Sequence, residues 1–214
     1  SAAETVTYHN NSPDTLSYLW LQLDQNLFTP GSDNRTAATV LSRDAWSKGT
    51  ERDGMRFDSM RSILESRTFQ GGFNIKSVKG ADGQPLKFVI NKTMMRIDLP
   101  QPLKPGAKVT FGIDWRYNIN EQKVLGGRAG YEKFDDKNDL FEIAQWFPRM
   151  AAYYDAAGWQ NAQYLGDGEF TLEFGDYDVA ITVPSDHIVA ATGELQNAGE
   201  VLSSTQRGRL QQAK

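Results

Sequence analysis

Apolar and polar residues alternate most regularly in the middle of the chain. The apolar positions there are Val109, Phe111, Ile113, Trp115, Tyr117 and Ile119, and polar residues or glycine fill the positions between them. Because successive side chains of a strand point to opposite faces, this period of two over residues 109–119 predicts a strand with one buried face.

Shorter stretches on the amino-terminal side predict further strands. Residues 73–90 have the pattern of a hairpin in which KGADGQP turns between FNIKSV and LKFVI. Another segment, around Met95, Ile97 and Leu99, is ended by the turn PQPLKPGAKV. The stretch LSYLWLQLDQNLF is apolar at both odd and even positions, which predicts a strand covered on both faces.

The carboxyl-terminal third repeats the alternating pattern. Residues 170–174 and 177–183 each alternate, and the GDY between them predicts an antiparallel hairpin or one strand bent at a bulge. The sequence IVAATGEL predicts one more short strand.

Helical patterns are few. Residues 35–48 and 57–66 are predicted as short helices, and Ser203 with Gln206 forms a capping-box pattern at the start of a helix in 203–213. Residues 120–140 are polar and rich in glycine, which predicts a long exposed loop. These elements together predict an all-β fold, an antiparallel β-sandwich with long loops and one or two short helices.

Composition narrows the classes of function. The net charge of −4 comes without a basic stripe, which argues against a nucleic-acid partner. The chain has no cysteine, which excludes disulfides, thiolate zinc sites and a cysteine nucleophile. We expect no membrane helix, because no apolar run approaches about 18 residues. The opening SAAETVTYHNNSPDTL has neither the basic nor the apolar region of a signal peptide.

Catalytic patterns are scarce. The only histidines are His9 and His187, outside any H-E-x-x-H, and a catalytic zinc usually needs three protein ligands dominated by histidine. His9 is expected in a turn before a strand, and His187 in a surface loop. There is no G-x-S-x-G, and the carboxylates of FDDKND and GDGEF are interpreted as solvated loop charges. We therefore expect no catalytic residue, metal ligand or cofactor within this chain.

The stretch AQWFPRMAAYYDAAGW, residues 144–159, is densely aromatic. Trp146, Phe147 and Met150 are predicted to pack into the core, with Pro148 at the end or edge of a strand. The alternative is the wall of a binding site. Since aromatic-rich β-sandwiches also bind glycans, a free-standing binding module for glycan or protein stays open.

The same residues carry a resemblance to a known family. AQWFPRMAAYYDAAGW, followed by YLGDGEFTLEFGDYDVAITVPSDHIVAATGEL, resembles the amino-terminal domain of the aminopeptidase N family of zinc metallopeptidases, in a bacterial member. The earlier VTYHNNSPDTLSYLWLQLDQNLFTPGS and IDLPQPLKPGAKVTFGIDWRYNI are similar to the first sheet of that domain. The resemblance implies saddle-like antiparallel sheets and a domain without catalytic residues, excised from a larger enzyme.

The resemblance also implies a binding residue. The family's amino-terminal domain contributes a Gln or Glu to the cleft, where it contacts the substrate's free α-amine. Gln145 matches the first Gln of the T-Q-x-[EQ]-A pattern, but Phe147 stands where the amine-contacting residue falls. Gln145 is therefore the first candidate for substrate binding, and Glu142 is the second.

Further expectations follow from the resemblance. Residues 1–202 would be the β domain, with its first strand missing, and 203–214 would begin the connection to an absent catalytic domain that holds the zinc. The expected partners are that catalytic domain and peptide substrates, without nucleic acid or membrane. The resemblance favours an exported, periplasmic location. A surface exposed by the excision, with QWFPRM near its edge, would make the fragment self-associate.

Overall fold

The structure is a computed structural model that describes residues 1–34, 57–135, 138–166 and 171–213. It divides into two compact units, residues 1–174 and 175–214. The predicted boundary at 202/203 concerns a connection to another domain and stays a prediction. None of the described helices is long and apolar enough to cross a membrane.

The first unit contains all the strands found in the described residues. Its strands are β1 (Ala2–His9), β2 (Leu16–Gln22), β3 (Asn74–Gly80), β4 (Phe88–Asn91), β5 (Met94–Leu103), β6 (Lys108–Arg116), β7 (Gly130–Lys133), β8 (Asp139–Glu142), β9 (Arg149–Met150), β10 (Tyr153–Tyr154) and β11 (Gly158–Trp159). Its helices are a 3-10 helix at Asp24–Phe28, α1 (Phe57–Thr68) and α2 (Gln122–Leu125).

One sheet has three antiparallel strands in the order β1-β6-β3. The strand predicted at 109–119 is its centre, although it ends at Arg116. Phe111, Ile113 and Trp115 are buried on one face, as the alternation predicts. His9 is the last residue of β1, opposite Lys108, and residues 10–15 connect it to β2, so it precedes a strand as expected but lies in a strand itself rather than in the turn.

The second sheet has four antiparallel strands in the order β4-β5-β2-β9. Leu19 and Leu21 of β2 are fully buried, and Gln22 is buried on the opposite parity, so the end of this strand is covered on both faces as predicted. The prediction extends the strand too far, because residues 24–28 form the 3-10 helix.

The predicted hairpin at 73–90 is only partly correct. The turn is present: the Gly80 amide donates to the Gln84 carbonyl and the Leu86 amide donates to the Val78 carbonyl, both at 2.9 Å. Beyond the turn the chain leaves β3 and enters β4, so that the two strands lie in different sheets. The longer strands β6 and β5 offer each of them more backbone partners than they offer each other.

The core is formed by the inner faces of the two sheets. It contains Leu19, Leu21, Leu23, Phe73, Val78, Met95, Ile97, Phe111, Ile113 and Trp115. Two antiparallel sheets whose alternate side chains meet in one core are the arrangement of a sandwich. The all-β prediction is confirmed.

Residues 120–140 are not simply a loop. They contain α2, β7 and the start of β8, and β7 pairs with β8. Tyr131 lies opposite Phe141 with ring centroids 6.3 Å apart. Cross-strand aromatic pairs of this kind stabilise a hairpin. The polar composition of residues 120–140 does not indicate this contact.

The predicted helices are found where the structure describes them. Helix α1 covers 57–66, while the helix predicted at 35–48 lies outside the described residues. In the second unit α3 is Ala198–Val201 and α4 is Ser204–Ala213. The capping box at α4 is confirmed, because Ser203 N donates to Gln206 Oε1 at 2.8 Å and Gln206 N donates to Ser203 Oγ at 3.3 Å.

The strands predicted between 170 and 195 are wrong for the described residues. Only an isolated bridge from Leu172 to Ala151 is found there. Val179 and Ile181 are about half exposed, at 49% and 52%. A strand is stabilised by hydrogen bonds to a neighbour, and none of the described residues supplies a partner strand for 177–183.

Candidate functional site

The first half of the aromatic stretch belongs to the core side of the molecule. The Trp115 indole N–H donates to the carbonyl of Trp146 at 3.0 Å, and their rings are 6.2 Å apart. Phe147 packs on Trp146 at 5.0 Å, and Met150 also lies against the core. The prediction that these aromatic residues pack into the core is confirmed.

A group of polar residues lies beside these aromatics, and we call Gln22, Asp24, Gln145 and Arg149 the Asp24 cluster. Asp24 begins the 3-10 helix, separated from the end of β2 by one residue, and Arg149 begins β9. Pairing of β9 with β2 places Arg149 opposite Gln22. Gln22 is only two residues before Asp24 in the chain. The pairing of the two strands therefore brings Arg149 close to Asp24.

Asp24 and Arg149 form a two-pronged ion pair. Arg149 Nε donates to Asp24 Oδ2 at 2.9 Å, and Nη2 donates to Oδ1 at 2.6 Å. Gln22 Nε2 also donates to Oδ1, at 2.6 Å. The Asp24 side chain is 1% exposed and that of Arg149 is 23% exposed. A buried carboxylate needs this number of donors to offset its loss of water.

Gln145 is held over this ion pair. Its Nε2 lies 3.4 Å from Asp24 Oδ1 and 3.4 Å from the Tyr164 hydroxyl. Its backbone carbonyl accepts a hydrogen bond from Gln25 Nε2 at 3.1 Å. No donor among the described residues contacts its side-chain oxygen Oε1. The two ends of the Gln145 amide therefore differ, since the nitrogen faces the protein's own acceptors and the oxygen lacks a donor.

The backbone at Gln145 is unusual. Its φ is +52°, and among the described residues other than glycine only Lys92, at +55°, shares this left-handed conformation. Lys92 occupies the two-residue turn between β4 and β5, where positive φ is the usual geometry. Gln145 lies in no hairpin turn. A residue other than glycine in the left-handed conformation costs about 1–3 kcal/mol of backbone strain, so the surroundings of Gln145 must hold it there.

Glu142 lies elsewhere. It is the exposed last residue of β8, opposite Gly130. No hydrogen bond among the described residues joins it to the Asp24 cluster, so the structure does not bring the two candidate residues into one site.

The second half of the aromatic stretch forms a different feature. Tyr153 and Trp159 are paired across the β10–β11 hairpin with rings 5.1 Å apart, and Tyr8 of β1 lies 6.0 Å from Trp159. Tyr154, next to them, is exposed. Tyr8, Tyr153 and Tyr154 line a cavity, while Tyr8 and Trp159 also pack against the core.

Neither feature contains a histidine among its described residues. Among the described residues no group of three His, Cys, Asp or Glu side chains is arranged to hold a metal ion. His187 lies in an exposed turn with Nδ1 2.7 Å from Asp186 Oδ1, which confirms its surface position.

The sequence pattern alone does not single out Asp24 or Arg149. The available signal was local: an Asp directly follows a strand with buried residues at both parities, and an Arg interrupts an aromatic run. A charge at the end of a buried strand needs a partner of opposite sign.

Comparison with protein-family models, with curated proteins and with solved structures finds no match.

Proposed function

We propose that this chain is the non-catalytic amino-terminal domain of a zinc-dependent aminopeptidase, in which it forms one side of the peptide cleft. Gln145 binds the free α-amine of the substrate, and the parent enzyme's catalytic domain holds the zinc. The proposal starts from the resemblance of the sequence, and the observation that carries it in the structure is the orientation of the Gln145 amide.

The ion pair below Gln145 determines that orientation. Asp24 is an acceptor through both oxygens, so the amide nitrogen, the donor, is the end that faces it. The amide oxygen is then left for a ligand. An ammonium group is a donor only, and a hydrogen bond from it to Oε1 would contribute about 1.5–3 kcal/mol.

The charge balance of the cluster favours an amide over a carboxylate at this position. Arg149 already neutralises Asp24. The ammonium therefore meets a neutral acceptor whose position is fixed by an ion pair that it does not disturb. A neutral acceptor binds an amine less tightly than a carboxylate does, and product release is correspondingly easier.

The left-handed backbone at Gln145 is the second support. Strained residues persist where the structure over-determines them, and they are concentrated at binding and catalytic sites. Here the Gln25 side chain fixes the carbonyls of both Ala144 and Gln145, at 3.2 and 3.1 Å. The turn that aims the amide is therefore built into the fold before any substrate binds.

The alternative function is a free-standing module that binds glycan or protein through its aromatics. It is favoured by one observation, the exposed Tyr154 beside Tyr153 and Tyr8. A glycan array on this chain tests it, and specific micromolar binding would support the module over the peptidase domain.

The encoding gene provides the first test of the proposal. Read beyond Lys214, it should encode G-x-M-E-N and then H-E-x-x-H, the pattern in which two histidines on one helix face bind zinc. A stop codon or an unrelated domain at that place would contradict the proposal.

A further inference from the structure

A cavity of about 290 Å³ lies at the end of β1, next to the β10–β11 hairpin. We call it the tyrosine cavity. Its lining residues are Tyr8, Asn11, Ser12, Pro13, Tyr153, Tyr154, Asp155 and Glu173. It shares no residue with the Asp24 cluster, and the proposed peptidase role gives it no task.

Three tyrosines form part of the wall of this cavity, and contacts with neighbouring side chains hold two of them, Tyr8 and Tyr153. Tyr153 and Tyr8 both pack on Trp159. The Tyr153 hydroxyl donates to Asp14 Oδ2 at 2.6 Å, which holds that ring from its far end. Tyr154 is 46% exposed and forms the open side.

The charged side chains among the described lining residues of this cavity are both acidic. Asp155 and Glu173 line it, and Asp14 contacts it through Tyr153. Glu173 Oε1 accepts the backbone N–H of Tyr153 at 3.1 Å. None of the described lining residues is Lys, Arg or His, and no described basic side chain forms an ion pair with these carboxylates.

The two phenols stay neutral. Burial, and then the charge of Glu173 and the neighbouring Tyr153, raise the pKa of Tyr8 to about 12. The hydrogen bond to Asp14 is the main reason that the pKa of Tyr153 is also raised to about 12. At neutral pH the rings thus present uncharged faces, and the carboxylates supply the negative charge.

We infer that the tyrosine cavity binds an alkylammonium ion, either a small free amine or the side chain of a lysine on a partner. Aromatic faces attract a cation through the ring quadrupole. Carboxylates at the same cavity accept the N–H groups of the ammonium in charge-assisted hydrogen bonds. The cavity volume is near the lower end of those of small-molecule sites, which suits a short alkyl chain.

A titration of the 214-residue chain followed by amide chemical shifts tests this inference. The probes are n-butylammonium, Nα-acetyl-lysine methylamide, n-butanol as the uncharged match, and maltotriose. Both cations should shift the amides of Tyr8, Tyr153, Tyr154 and Glu173, and added salt should weaken that binding. Tighter binding of n-butylammonium than of Nα-acetyl-lysine methylamide would indicate a free amine as the ligand, and the reverse order would indicate a lysine side chain.

Two isosteric variants remove the negative charges of the cavity and should leave the fold intact. Glu173→Gln keeps an oxygen that accepts the Tyr153 N–H, and Asp155→Asn changes an exposed side chain. Together they should weaken n-butylammonium binding about tenfold or more. Asp139→Asn, in the exposed strand β8, is the matched control and should leave it unchanged.

Three results would overturn the inference: n-butanol shifting the same amides as strongly as n-butylammonium, cation binding that is equal in the double variant and in Asp139→Asn, or shifts at these amides with maltotriose alone. The third result would support the alternative function, in which this cavity binds glycan. The amide shifts of Gly158 and Trp159, on the opposite strand of the hairpin, report in the double variant without ligand whether the hairpin is intact.

Discussion

The Asp24 cluster and the tyrosine cavity both contain carboxylates, but only the first supplies its own cation. Asp24 is buried against Arg149 at 2.6 and 2.9 Å, with Gln22 as a further donor. Asp155 and Glu173 line an open cavity without a described basic partner. The difference separates two roles: a neutralised ion pair positions a neighbouring group, while unpaired carboxylates attract a charge from outside.

Removing the cation of the Asp24 cluster should have the largest effect. Arg149→Leu leaves Asp24 buried without its partner, which should lower the free energy of unfolding by about 3–5 kcal/mol. Urea denaturation measures it. The control is the double variant Asp24→Asn with Arg149→Leu, whose loss should be clearly smaller, because no charge is left unpaired. Equal losses of unfolding free energy in the two variants would show that leaving Asp24 without its cation costs no stability of its own.

Glu4 provides a third kind of carboxylate environment, since it is poorly solvated and forms no ion pair with the described residues. Its Oε1 is buried without a hydrogen-bond partner, and desolvation raises its pKa from 4.5 to about 8. Between these values the folded chain keeps a proton that the unfolded chain releases, so the stability that is present below pH 4.5 decreases as the pH rises towards 8.

Glu4→Gln should remove this pH dependence. At pH 8 the variant should be more stable than the parent chain by on the order of 1 kcal/mol, and at pH 4 the two should be nearly equal. Urea titrations at a series of pH values measure the difference. A constant difference across this range would show that Glu4 does not titrate in the folded chain as described.

Relief of backbone strain should distinguish Gln145→Gly from Gln145→Ala. Both variants remove the amide, but only glycine adopts a φ of +52° without cost. Gln145→Gly should therefore be more stable than Gln145→Ala by about 1 kcal/mol in urea denaturation. Equal stability would show that the alanine variant relaxes out of the left-handed region.

Giving the tyrosine cavity its own cation should have the smallest effect on stability. Asn11 is exposed and lines the cavity, so Asn11→Lys places an ammonium beside its carboxylates. We expect a gain of only about 0.2–1 kcal/mol, the range of exposed ion pairs, together with weaker binding of added n-butylammonium. Undiminished amine binding by this variant would contradict the assigned role of the carboxylates.

Strand β6 and residues 177–183 show what the sequence pattern determines. Both alternate apolar and polar residues, yet only β6 has neighbouring strands, β1 and β3, on its two edges. Alternation reports the preference of a segment for an extended backbone. Whether a partner edge is available depends on distant parts of the chain, which explains why the first prediction is correct and the second is wrong for the described residues.

The candidate site, like the strands of the fold, is only partly predictable from the sequence. The resemblance and the aromatic stretch single out Gln145 as a candidate, and its role stays a prediction. Asp24 and Arg149 are separated by 125 residues and meet only through the pairing of β2 with β9. The left-handed turn at Gln145 was also beyond sequence reasoning, because neither a glycine nor a hairpin signal marks it.

The central claim is that the Gln145 amide oxygen binds the substrate α-amine, and kinetics of the parent enzyme test it most directly. Gln145→Gly and Gln145→Ala should both lower kcat/KM for peptides about tenfold or more, which corresponds to the loss of a hydrogen bond worth about 1.5–3 kcal/mol. Both should also lose the preference for an inhibitor with a free α-amine over its des-amino analogue, while Glu142→Gln keeps it. Unchanged kinetics and an unchanged preference in both Gln145 variants would contradict the account, and loss of the preference in Glu142→Gln alone would transfer the role to Glu142.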